Sequence, residues 1–122
     1  MVVGKGFGDE PLAPIYQEND SKWADAVDYA VWGLIQAEEK GITQITAGSE
    51  GRLKEISDKD PVAKSLLTAG DGAIVRAVRA VGNYGEIYNR YFGPAKATVI
   101  ARQGTRNELA RNGGAMTSRP FR

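Results

Sequence analysis

A mainly helical single domain with one or two short strands, α+β in class, is what this sequence predicts, on three observations. Two long stretches, Asp20 to Gly41 and Asp71 to Phe92, place apolar residues at helical spacing. The β-prone runs are brief and broken by glycine and proline. At 122 residues with 42% hydrophobic side chains, the chain holds enough for one core and too little for two ordinary domains. The single domain is expected to span residues 1–122, with 1–10 as a flexible N-terminal segment.

That segment carries Gly4, Gly6 and Gly8, which follow no strand and open no helix, so a mobile tip is favoured over a phosphate-binding loop. Pro11 to Gln17 reads as an extended edge or lead-in segment because Pro11 and Pro14 cannot donate to a sheet. From an N-cap at Asp20 or Ser21, the residues Trp23, Val27, Ala30, Val31 and Leu34 form one helical stripe that Gly41 ends. Trp32 falls opposite Trp23, with Tyr29 beside it, so this helix expects partners on two faces.

Ser49 to Ile56 predicts a short helix with Leu53 and Ile56 inward. Asp60-Pro61 is a cap followed by proline at the first helical position, opening a second short helix that stops at Gly70. Asp71 to Phe92 reads as one long helix. Its inner stripe is Ile74, Val78, Val81, Tyr88 and Phe92, and its polar side is Arg76, Arg79, Asn83 and Arg90. Gly82 and Gly85 weaken it, and Gly85 lies on the stripe where another backbone is expected to approach. Gly93-Pro94 ends the run, Ala97 to Ala101 is the second candidate strand, and Thr105 to Arg111 predicts one or two helical turns before Asn112-Gly-Gly114. The tail from Ala115 is loop unless it docks.

Chemistry is narrowed by composition. With no Cys and no His, thiolate nucleophiles, disulfides, imidazole bases and the usual zinc sites are excluded, and no cofactor or metal is expected. Residues 1–60 hold 6 Lys/Arg against 12 Asp/Glu and residues 61–122 hold 10 against 3, so a net charge of +1 conceals an acidic half and a basic half. The basic residues are dispersed, which disfavours nucleic acid as a partner; the two halves are suited to meet within one molecule or between two. No stretch is long and apolar enough for a membrane anchor, and Met1 to Glu10 has no signal-peptide core, so neither insertion nor export is expected of the chain as written.

Three ordered segments carry a resemblance. They are Glu10 to Pro14 followed by Trp23, Leu34-Ile-Gln-Ala-Glu-Glu39 and Gly41-Ile-Thr43; then Val81-Gly-Asn-Tyr-Gly-Glu-Ile87; then Asn107 to Gly114 with Pro120-Phe-Arg122. Together they resemble the C-terminal part of general L-amino-acid-binding periplasmic proteins of ABC importers. The resemblance implies a partial lobe of the type II periplasmic-binding-protein fold and a periplasmic location, with the cytoplasm as the alternative if this chain is the complete product. It also implies that the ligand cleft is lined mainly by residues upstream of this stretch, so no ligand or catalytic residue is carried over. The chain departs from the family pattern at Arg106, at Ala110 and at Thr117-Ser-Arg119, where apolar anchors are usual.

Of the single residues, Glu38 falls on the apolar stripe, and an ion pair with an arginine is favoured over ligand contact because structural pairs outnumber sites. Asp25 and Asp28 read as solvated surface. Ser49 has neither the elbow spacing nor a base for a nucleophile. Tyr29 and Trp32 are the candidate interface, weighed against packing within the chain. The function expected is that of a non-enzymatic relative of an importer's binding component, self-associating as a homo-oligomer. The alternatives are a lobe complementing separate binding-protein segments, with an amino acid bound only if a cleft is rebuilt, and a phosphate or nucleic-acid binder using the basic half.

Overall fold

The computed structural model describes residues 13–53 and 72–119 of the chain. The expected mobile tip at 1–10, the helix from Asp60 to Gly70 and the inward Ile56 lie outside the described residues.

α1 (Ser21–Glu39) starts where the Asp20 carboxylate accepts the Trp23 amide at 3.0 Å, so the acid and not Ser21 is the cap. It stops at Gly41, whose φ of +66° turns the chain back. There the Gly41 amide donates to Glu38 O at 2.9 Å and the Ile42 amide to Ala37 O at 2.7 Å, a paired closure that satisfies the last carbonyls. The same turn drops Ile42, 0% exposed, into the core. A 3₁₀ turn (Thr46–Gly48) and the short α2 (Glu50–Leu53) follow.

The expected stripe of α1 is only partly the buried one. Trp23 is exposed and Val27, Ala30, Val31 and Leu34 are half-buried, whereas Gly33, Ile35, Gln36 and Ala37 are buried. Among the described residues, burial concentrates in the last two turns because these are flanked on both sides, by α3 (Ala73–Val81) at Gly33 and by α4 (Tyr84–Phe92) at Glu38. The core itself is Ala37, Ile42, Ala47, Ile74, Val75 and Val78, with Leu34 against it.

At the α1–α3 crossing a Cβ on Gly33 would lie 2.6 Å from Ile74 Cγ2, inside any real contact. Overpacking of this kind costs about 1–3 kcal/mol, against a helix-propensity gain of at most about 1 kcal/mol. Gly33→Ala is therefore expected to lower the unfolding free energy by about 1–2 kcal/mol, read from the urea midpoint at unchanged m. A variant as stable as the parent would mean that Ile74 repacks freely.

The single helix expected from Asp71 to Phe92 is two helices. Gly82, at φ +85° and ψ 176°, holds a backbone conformation open mainly to glycine and breaks the run. Asn83 then caps α4: its Oδ1 accepts the Glu86 amide at 2.9 Å while Glu86 Oε2 accepts the Asn83 amide at 2.8 Å. Asn83, expected on a polar surface, is 6% exposed and donates through Nδ2 to Ile42 O at 2.8 Å. The last carbonyls of α3 are capped from elsewhere, by Gln44 Nε2 on Arg79 O and Ala80 O and by Arg90 Nη2 on Val81 O. Because the break redirects α4, Val81 and Phe92 end up exposed while Ile74 and Val78 stay buried.

The fold is mainly helical, and the expected strands are absent from the described residues apart from an isolated parallel bridge between Leu109 and Met116. Ala13 to Gln17 and Ala97 to Ala101 have the composition of strands but no neighbouring strand to complete a ladder, and Ile15, Val99 and Ile100 are exposed. The helical turn expected in 105–111 falls later, as a 3₁₀ turn at Ala110–Asn112 closed by Gly113 at φ +90°.

Candidate functional site

Where α1 ends against α4, Arg102 is the first of several side chains that hold the long C-terminal segment. Arg102 forms a two-pronged pair with Glu38, Nη2 to Oε2 at 2.8 Å and Nη1 to Oε1, and its Nε donates to Asn107 O at 2.6 Å. The two side chains are 14% and 16% exposed. The guanidinium carbon stands 5.3 Å from the Tyr84 ring centre and 5.7 Å from that of Tyr88, so an aromatic wall completes the enclosure.

Gly85 makes the room. A Cβ there would fall 2.7 Å from Glu38 Oε1 and 2.8 Å from Arg102 Nη1, so what approaches this glycine is an ion pair and not the backbone expected. Burial holds the Tyr84 hydroxyl above its ordinary 10.0; the Arg102 charge opposes that shift, and Tyr88 and Glu38 reinforce it.

One residue on, Glu39 receives the tail. Its carboxylate accepts from Thr117 Oγ1 and the Ser118 amide, each at 3.1 Å, and from Ser118 Oγ, while its carbonyl accepts from Arg111. Beyond these, the Arg119 guanidinium lies 5.3 Å above the Trp32 ring, and Trp32 meets Tyr29 edge-on at 5.5 Å and 70°. The tail that was loop unless docked is docked. Thr117-Ser-Arg119 holds by hydrogen bonds and a cation over a ring; Arg106 and Ala110 are exposed.

The structure therefore brings Glu38 and Trp32 against the C-terminal segment, with Tyr29 against Trp32, and leaves Asp25 exposed and Asp28 half-buried on the far part of α1. Ser49 Oγ donates to Thr46 O at 2.7 Å, a local turn bond. A shallow open depression of about 330 Å³ is lined by Tyr16 to Ser21 and Ala24 at the start of α1. Among the described residues, no group of three or more acidic side chains is placed to hold a metal.

Sequence reasoning missed Arg102, 64 residues from its partner, because nothing local marks it. It also missed the cap at Asn83, although Asn83-Tyr-Gly-Glu86 has the spacing of a capping box.

No protein-family model and no solved structure matches the chain. Known proteins do, over 100% of its length. It is 34% identical to the glutamate/glutamine/aspartate/asparagine-binding protein BztA of Rhodobacter capsulatus and 32% identical to the general L-amino acid-binding periplasmic protein AapJ of Rhizobium johnstonii. It is 27% identical to the putative amino-acid ABC transporter-binding protein YhdW of Escherichia coli. The chain spans 37% of the length of each of these relatives. The resemblance read from the three segments is thus shown: the chain is related to the amino-acid-binding proteins of ABC importers and corresponds to a segment of them.

Proposed function

We propose that this relative of the amino-acid-binding proteins of ABC importers forms helical framework for an L-amino-acid-binding unit in the periplasm, without catalysis, and that it does not clamp the ligand by itself. The observation that carries this reading is where the polar groups point. A ligand clamp presents convergent polar atoms to an open cavity. Here Glu38, Arg102, Asn83 and Glu39 are turned on one another and on backbone, and among the described residues no buried side-chain polar atom lacks a partner. The depression beside Tyr16 is open and rimmed by exposed residues. The basic face is also engaged in part, with Arg90 on Val81 O and Arg79 alongside Gly48, which leaves little to recommend a phosphate site.

Titration calorimetry with L-glutamate, L-glutamine, L-aspartate and L-asparagine, the ligands in one relative's name, is the test. The chain alone is expected to give no saturable heat, and the chain mixed with the remaining segment of such a relative is expected to give it. Saturable binding by the chain alone would overturn the reading.

A second reading, self-association, is favoured by the apolar side chains left at the surface, notably Ile15, Ile45 and Tyr91 at 97%, 91% and 63% exposure. Light scattering that returns a strict monomer at high concentration would remove it. Among the described residues no helix is long and apolar enough to cross a membrane.

A further inference from the structure

We propose that Glu38, Tyr84 and Tyr88, around the gap left by Gly85, form a receptor for a guanidinium group, which the chain fills with its own Arg102 and which accepts a guanidinium cation supplied from outside when that side chain is withdrawn. The enclosure has what this cation requires and a simpler one does not. The carboxylate faces the fork edge-on with both oxygens engaged, a match to planar geometry that an ammonium ion cannot reproduce. Two tyrosine rings lie at 5.3 and 5.7 Å, within reach of a cation over their faces. The absent Cβ at Gly85 leaves the volume in which Glu38 Oε1 and Arg102 Nη1 meet.

The walls are held in place without Arg102. Glu38 belongs to the last turn of α1 and the tyrosines to α4, and these elements are tied by Asn83 to Ile42 O at 2.8 Å and by the Gln44 amide to Glu86 Oε2 at 2.9 Å. Arg102 enters from the irregular segment after α4, whose own contribution is the Asn107 carbonyl. Docking of that segment is therefore the seating of a ligand on a preformed site, and its ligand is replaceable by chemistry of the same class.

The experiment uses the full chain carrying Arg102→Ala, with thermal unfolding followed by circular dichroism against methylguanidinium chloride. The variant is expected to regain at least half of its lost Tm, saturably, with a midpoint on the order of 10 mM for so small a ligand. Methylammonium chloride at the same concentrations is expected to restore nothing, and the parent chain to respond to neither salt. If Arg102→Ala is unfolded in buffer, recovery of the helical signal with methylguanidinium alone is the same readout. Equal recovery with methylammonium, recovery that persists in Glu38→Gln/Arg102→Ala, or no recovery at all would each overturn the proposal.

Discussion

Asn83→Ala is expected to lower the unfolding free energy by about 3 kcal/mol, because the residue does two jobs that alanine does neither of. Its Oδ1 caps α4, worth about 1 kcal/mol, and its Nδ2 satisfies the carbonyl of Ile42 inside the core, whose abandonment costs about 1–3 kcal/mol. Serine separates the two: Asn83→Ser keeps a capping oxygen and loses the amide N–H that reaches Ile42 O, so it is expected to fall between parent and alanine. Urea unfolding of the three proteins checks the order. If alanine costs under about 1 kcal/mol, water or a shifted backbone must be supplying the Ile42 carbonyl.

The same residue marks how far the sequence could be read. The extent of the first helix was legible, though not which of its residues are buried, because its cap at Asp20 or Ser21 and its stop at Gly41 are local chemistry acting within a few residues. The break at Gly82 was not, since one glycine in an amphipathic run is a cost of about 1 kcal/mol and only the pairing of Asn83 with Glu86 turns it into a boundary. The apolar stripe through Val81 and Phe92 continued across the break in sequence and ended there in space. The strand expectations failed for a related reason: Ala97 to Ala101 has strand composition, but a strand is completed by a neighbour, and none lies among the described residues.

The charge asymmetry of the chain was legible, and its destination was not. The sequence allowed the acidic half to meet the basic half within one molecule or between two. In the structure one such meeting is internal: the carboxylate of Glu38 takes Arg102, and beside it the backbone carbonyl of Glu39 takes Arg111 while its carboxylate takes the tail at Thr117 and Ser118. Adjacent acids at a helix end therefore hold two parts of the C-terminal segment. A helix C-terminus repels acids and attracts cations, so the arginines also face the end of α1 that suits them. Charge pairing thus accounts for the seat of Arg102, and the tail is held by hydrogen bonds from Thr117 and Ser118 and by Arg119 over Trp32; the case for self-association rests on the exposed apolar side chains.

Breaking the Glu38–Arg102 pair from one side is expected to cost far more than removing it whole. Arg102→Met leaves a carboxylate with about one-sixth of its surface exposed facing two tyrosines, a loss of about 2–3 kcal/mol, and Glu38→Met strands the guanidinium at similar cost. Glu38→Met/Arg102→Met buries two flexible apolar side chains against the same rings and is expected to recover to within about 1 kcal/mol of the parent. The coupling across the cycle, on the order of 2 kcal/mol or more, is the quantity to measure, by urea unfolding of all four proteins. Additive losses would mean the two side chains act independently and the short contact between them carries little. Strong coupling with a stable double variant would instead show that the pair's effect lies in its selectivity: a lone charge at either position is penalised, so Arg102 and Glu38 require each other, while apolar packing holds the seated state equally well.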